Sequence, residues 1–304
     1  MTVVYGTVCL DLTYRVPLVP PKGGYVEIAQ EQRALGGEAA NTAAALCKWG
    51  AECALVGNSI GSGQEANEIK RALLDYGISY ARCPDGDHPA PVCHILVTPD
   101  GERTMFGRGF LEMEQRSDTS LVPHSAGSWF TADPNHGAAA RRAMQEAYSA
   151  GMSCYALDFV RDDDQLRAGS YWQSSTSWVG APGDWERNTR WLQHWLDKHD
   201  VTAVLTDSDG GFLVGTREGG IRQLPPYPAG RVVDTTGAGD VFRAGMLFCL
   251  ERRKALAECL KFAAASAALN CEGLGAVGAL PSREQVESLI AANPGIAAKY
   301  DEGV

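Results

Sequence analysis

Along the chain, short apolar runs alternate with stretches of helical periodicity. The opening VVYGTVCLDL reads as a buried strand that ends near Asp11, and CALVG at 53–57 reads as the next one. Between them a polar, Pro- and Gly-rich stretch runs to Leu35. The helix formers of AANTAAALCKW at 39–49 then follow, stopped by Gly50. A second helix is predicted over 65–76, closed by Gly77, and 92–106 alternates around Pro99-Asp100-Gly101 as a hairpin. Strands at 128–132 and 153–158 flank a helix at 137–150. A helix at 187–199 leads into AVLT at 203–206, and a short β pair lies around 212–222. The last third is helical at 239–250, 256–270 and 283–292, with the loop CEGLGAVGALP between the last two. Strands alternating with helices predict a three-layer α/β/α class with a central, mostly parallel sheet covered on both faces. All of 1–304 is read as one domain, and the segments that break the alternation, about 12–35 and 90–108, are read as a small β lid over one edge.

Composition narrows the ligands. With 45% hydrophobic residues the chain can bury a large core, and 27 Lys plus Arg against 37 Asp plus Glu give a formal charge of −10. No basic run tracks a nucleic-acid backbone, so nucleic acid is excluded as a partner and any anion must be held locally. No stretch of 18 apolar residues and no charged leader with an apolar core is seen, so the expectation is a soluble, cytoplasmic protein with no membrane partner. The 9 cysteines include no Cys-x-x-Cys and read as buried thiols, and the 6 histidines show no zinc spacing.

The chemistry concentrates in VVDTTGAGDVF at 232–242, where a strand gives way to a small-residue turn and then a helix start. Gly237 and Gly239 let backbone N–H groups approach an anion, and Asp240 stands where a base would. Taken alone, the same pattern also fits a glycine turn followed by a carboxylate that favours the helix dipole. GGEAAN at 36–41 puts glycines before a helix with Asn41 one turn inside it, and strand ends in an open sheet gather ligands, so Asp11, Gly37, Asn41 and Asp240 are expected to share a crevice. Singly, Asn41 reads as readily as a capping residue. There is no Walker-type Gly-x-x-x-x-Gly-Lys and no Gly-x-Ser-x-Gly elbow, and GSGQEA at 61–66 is a poor dinucleotide match.

GTVCLD at 6–11, GGEAAN at 36–41 and DTTGAGD at 234–240 resemble, in order and spacing, the landmarks of the PfkB carbohydrate kinases, whose fold is ribokinase-like. The resemblance implies an ATP-dependent kinase that phosphorylates a hydroxyl of a small ribose- or fructose-like sugar. Asp240 matches its general base, and Gly237, Ala238 and Gly239 its anion hole. Asp11, Gly36, Gly37 and Asn41 match positions that hold sugar hydroxyls, with Arg108 of the lid a further substrate candidate. Thr206, Ser208 and Gly211 resemble the nucleotide-side turn, Ser208 standing where glycine is usual, and Gly273 and Gly275 lie in the loop that closes over adenine. Glu186 resembles a residue that supports Mg²⁺ through water, with Gly183 replacing its usual Asn partner, while Asp234 and Thr236 match a monovalent cation site, K⁺ being the candidate. Tyr14 and Tyr25 would suit a nucleoside base, and Arg33, Arg103 and Arg108 an anionic sugar, so nucleoside and anionic-sugar kinases stand behind the free sugar. A non-catalytic sugar or nucleotide sensor is the reading from another class, and Asp240 counts against it. Exposed lid edges predict a homodimer through the lid.

Overall fold

Described over residues 1–302 in a computed structural model, the chain forms these elements in order: β1 (Thr2–Gly6), β2 (Cys9–Arg15), β3 (Gln30–Gly36), α1 (Glu38–Lys48), β4 (Cys53–Gly57), β5 (Gly61–Ser62), α2 (Gln64–Asp75), β6 (Asp85–Pro89), β7 (Val92–Val97), β8 (Arg103–Arg108), β9 (Trp129–Ala132) and α3 (Gly137–Ser149). After these come β10 (Ser153–Leu157), β11 (Ser170–Ser175), α4 (Thr176–Val179), α5 (Trp185–Lys198), β12 (Val201–Thr206), β13 (Phe212–Thr216), β14 (Gly220–Leu224), α6 (Ala238–Glu251), α7 (Leu256–Asn270), α8 (Arg283–Ala292) and α9 (Pro294–Asp301).

Apolar strands with both faces covered make the main sheet, ordered β14-β13-β12-β11-β10-β9-β1-β4. It is parallel except where β13 runs antiparallel to β12 and β14. One face is covered by α1, α6 and α7, with Val4, Leu46, Tyr155, Phe242 and Phe262 in its core, and the other by α3 and α5, with Tyr5, Phe130, Trp172 and Leu196. The layering is the expected α/β/α one. A separate four-stranded sheet, β3-β2-β7-β8, stands off the main sheet.

The opening segment differs from its reading as a single strand ending at Asp11. β1 stops at Gly6, whose φ of 148° suits glycine and where a Cβ would collide with the Asp133 carboxylate. Asp133 accepts hydrogen bonds from the Thr7 amide at 2.8 Å and the Thr7 hydroxyl at 3.1 Å, so the chain turns out of the main sheet there. Asp11 therefore sits in the middle of β2, paired with Ala34 of β3 and Cys93 of β7.

β11, within SYWQSS, was not anticipated from the sequence. It is a central strand whose Gln173 and Ser174 are buried yet satisfied: Gln173 Nε2 donates to the Gly239 carbonyl at 2.9 Å, and Ser174 Oγ donates to Asp158 at 2.5 Å. Buried polar residues with tertiary partners carry no apolar periodicity to read. α9 also lay outside the predicted elements. It docks through Tyr300, which is buried and whose hydroxyl donates to the Pro225 carbonyl at 2.6 Å.

Candidate active site

The signature segment builds its turn from Gly237, which precedes α6 at φ 76° with no room for a side chain: a Cβ would sit 2.5 Å from the Ala276 carbonyl oxygen. Among the described residues, the amides of Gly239 and Asp240 in the first turn of α6 find no acceptor. Unsatisfied N–H groups at a helix start, reinforced by the dipole, form an anion-binding surface.

Asp240 is buried beside these amides. One carboxylate oxygen accepts from Asn41 Nδ2 at 2.9 Å, and the other lies 3.5 Å from Arg243 Nη2, one helical turn along α6. Burial raises its pKa above the ordinary carboxylate range, against the opposing pull of Arg243 and Asn41, with Asp133 and Asp158 adding to the rise. Asp11 reaches the same region from the lid. Its carboxyl backs onto Gly36, accepts from Cys9 Sγ at 3.4 Å, and is pushed up to about 7, chiefly by burial and then by the charges of Asp240 and Asp234. The structure thus gathers Asp11, Gly36, Gly37, Asn41 and residues 237–240, with Gly37 preceding α1 and packed on the Thr7 carbonyl.

Asp234 and Thr236 lie just upstream. Asp234 is fully buried and accepts from the Thr236 amide at 2.8 Å, the Thr236 hydroxyl at 2.6 Å and the Gly275 amide at 2.8 Å. These bonds tie the signature to the loop holding Gly273 and Gly275. Among the described residues all its donors are neutral, and nearby Asn270, which donates to the Ala276 carbonyl at 3.0 Å, has its Oδ1 buried without a partner there. A buried carboxylate with neutral donors next to an orphan acceptor fits a bound monovalent cation.

Thr206 ends β12 and donates to the Ser174 carbonyl at 3.3 Å. Ser208 adopts a left-handed φ of 46°, the conformation that explains why a glycine is at home there, and Gly211 begins the return into β13 beside Leu224. Two predicted residues lie apart. Glu186 is exposed in the first turn of α5 and pairs with Arg190. Arg108, on the edge strand β8, pairs with Glu65 at 3.3 Å and lines an open cavity of about 390 Å³ with Asp87 and His88. Among the described residues, no three His, Cys, Asp or Glu side chains are placed to hold a metal ion.

Sequence reasoning missed several members of the site. Glu38, in the first turn of α1, is pushed well above the ordinary range, mainly by burial and then by Asp133, Asp240 and Asp158, and its Oε2 has no partner among the described residues. Asp133 and Asp158 follow the carboxyl ends of β9 and β10, a position that the open-sheet rule could have flagged. Arg243 is fully buried, and its spacing of three residues from Asp240 was the available signal.

A sheet of this order, a separate strand layer and a buried carboxylate at a helix start with free amides define a ribokinase-like phosphotransferase. A family model described as pfkB family carbohydrate kinase matches residues 1–125 and 176–283. The chain belongs to that family and is an ATP-dependent sugar or nucleoside kinase. It is 28% identical over 348 residues to an uncharacterized sugar kinase of Dictyostelium discoideum, covering 95% of this chain and 97% of the relative. It is 27% identical over 292 residues to the aminoimidazole riboside kinase of Salmonella typhimurium, covering 85% and 88%. The solved structure of Arabidopsis thaliana ribokinase complexed with ribose and ATP superposes with a TM-score of 0.74 at 21% identity, covering 95% of this chain and 98% of that one. No helix among the described residues is long and apolar enough to cross a membrane.

Proposed function

We propose that the protein phosphorylates a hydroxyl of a small neutral sugar, ribose- or fructose-like, with Asp240 as general base. The observation that carries the reading is the Asp240 carboxylate, oriented by Asn41 at 2.9 Å beside the free amides of the α6 start. In this reading Asp240 takes the hydroxyl proton as the oxygen forms its bond to the γ-phosphorus of ATP. The bond from that phosphorus to the bridging oxygen breaks, ADP leaves, and the 237–240 amides hold the charge on the transferred group. Asp11 and Asn41, with the Gly36–Gly37 backbone, hold the other hydroxyls. Thr206, Ser208, Gly211, Gly273 and Gly275 border the nucleotide.

The lid supports a sugar over a nucleoside or an anion. Strand alternation puts Asp11 on the face of the lid that also carries Cys93 and Ile95, and Tyr14 on the opposite face, stacked on His94. Tyr25 is exposed. The arginines that would suit an anionic sugar are engaged: Arg33 with Glu68 at 2.9 Å, Arg108 with Glu65, and Arg103 with the Thr235 hydroxyl at 3.0 Å. Asp11, Glu38, Asp133, Asp158 and Asp240 make the surroundings acidic, which disfavours a second anion near the acceptor hydroxyl.

Mg²⁺, if bound with the nucleotide, would supply charge neutralisation on the triphosphate, and a cation held mostly by phosphates and water requires no protein cage. Glu186, exposed and paired with Arg190, is the candidate to hold one of its waters. K⁺ beside Asp234 and Thr236 would stabilise the loop that abuts the anion hole. ADP release over a panel of ribose, fructose, phosphorylated sugars and nucleosides tests the reading. Turnover confined to nucleosides or phosphosugars would replace the neutral sugar, and binding without turnover of any panel member would make the protein a sensor. The unpaired edges of β3 and β8, with Met105 and Phe106 exposed on β8, support a homodimer through the lid.

A further inference from the structure

Outside the signature, one fully buried guanidinium joins the two helices that carry the base and its amide partner. Arg243 Nε donates to Thr42 Oγ1 at 2.9 Å, and Nη2 donates to the Glu38 carbonyl at 2.6 Å while lying 3.5 Å from Asp240 Oδ1. Thr42 Oγ1 in turn lies 2.9 Å from the Glu38 carbonyl and 3.3 Å from the Asp240 carbonyl. The guanidinium therefore spans from the first turn of α1 to the first turn of α6. Among the described residues Nη1 is buried without a partner, so the group is not placed there to satisfy its own donors. A buried arginine left partly unsatisfied is costly, which argues for a service to its neighbours.

We propose that Arg243 is the positioning residue of the phosphoryl-transfer base: bridging α1 to α6, it fixes the Asp240 carboxylate opposite Asn41 and keeps it the anion that accepts the substrate proton. The inference rests on the reading of Asp240 as that base. The groups around Asp240 explain why a cation is needed. From α1 come Glu38 and the neutral Asn41, from the ends of β9 and β10 come Asp133 and Asp158, and from the lid comes Asp11. Burial, Asp133 and Asp158 push Asp240 toward protonation, and Arg243 is the cation that opposes them. Asn41 also favours the ionised form through the hydrogen bond it donates, but as a neutral group it opposes protonation less than Arg243 does.

The test needs no known substrate in its first arm. In protein labelled with ¹³C at the aspartate carboxyl, the Asp240 resonance is assigned by its loss in Asp240→Asn and titrated in wild type, Arg243→Met and Arg243→Lys. The titration is expected to move up by about one pH unit or more in Arg243→Met and by less in Arg243→Lys, as removal of a charge within 4–6 Å predicts. In the second arm, with ribose or fructose as acceptor, the acid limb of the kcat profile is expected to move up in step in Arg243→Met, so that kcat on that limb at about pH 5 falls about tenfold or more, with KM within about threefold. A role confined to packing would lower kcat or Tm and leave the limb in place. If Arg243→Met does not fold, Arg243→Gln, which can still bond Thr42, carries the same measurement. An unmoved Asp240 titration in the neutral variant overturns the proposal. Wild-type turnover in Asp240→Asn would instead overturn the reading of the base, and the two failures are distinguishable because the carboxyl titration does not depend on turnover.

Discussion

The eight-stranded and four-stranded sheets treat their strands in opposite ways. β1 is buried along its whole length between two helix layers, whereas β8 is exposed at nearly every position and β3 becomes buried only where Leu35 and Gly36 approach α1. One face of the lid carries only a small apolar cluster, with Ile95, Val97 and Leu274 buried in it, and through Leu10, Leu12 and Val92 its other face joins the large cluster on one side of the main sheet. A strand packed on both sides cannot shift without opening a cavity, so what hangs from it is held in place. The mostly exposed outer strands β3 and β8 can reposition at lower cost, which suits the rim of a cover that must admit and enclose a ligand. Asp240 and its amides belong to the frame, and Asp11 reaches them from the lid. In the proposed reading the frame supplies the base and the lid adds Asp11 to the acceptor contacts of Asn41.

The sharpest break in that division is Asp240→Asn. It is expected to lower kcat by about 10³-fold or more while leaving sugar affinity within a few-fold, read by ADP release and by calorimetric binding. A matching loss of affinity would mean that the frame also selects the acceptor. Gly237→Val comes next, because a β-branched side chain at φ 76° must press into the Ala276 carbonyl. An expected stability loss of about 3 kcal/mol or more should appear as a lower Tm, and a wild-type melt would show that the turn is softer than its packing implies.

Asp11→Asn separates the regions by sign. The Asp11 carboxyl titrates at about 7 in the fold, above its unfolded value of 3.8, so the folded state binds the extra proton between these values and stability from this group falls as pH rises from the lower value through the higher. Removing the charge is expected to raise Tm by a few degrees at pH 8, with the gain shrinking away toward about pH 4, while kcat/KM for the sugar drops about 10- to 100-fold. A Tm gain that persists undiminished at about pH 4 would contradict the buried-charge account. The smallest effect is expected at the outer lid: Phe106→Glu should shift the mass seen by light scattering from dimer to monomer, with kcat changed less than about threefold. A monomeric wild type would remove the lid interface from the comparison.

Much of the frame was legible because its strands and helices carry their own periodicity. CALVG at 53–57 coincides with β4, and the predicted helix at 256–270 with α7. The hairpin around Asp100 pairs Val97 with Arg103 as its alternation implied. The first strand was read too long because GTVCLDL stays apolar across the point where Gly6 and Asp133 send it into another sheet. In the site, DTTGAGD and GGEAAN announced Asp240 and Asn41, since close backbone approach to a ligand demands small residues at set positions. Asp133, Asp158 and Arg243 carried only weaker signals, their places after strand ends or one turn from Asp240, and with Glu38 they read as ordinary charged residues until folding buries them together.

The sequence by itself determined the layers, the order of the motifs and the glycine turn before α6, because these depend on local periodicity and on backbone freedom that single residues confer. Only the tertiary structure decided that Asp11 belongs to the lid and that Tyr14 lies on the opposite face of its strand. It alone put one buried guanidinium among the carboxylates around Asp240. Those outcomes depend on burial and on charges brought together from positions as far apart as Glu38 and Arg243, and the electrostatics of a site exist only once water has been removed from it.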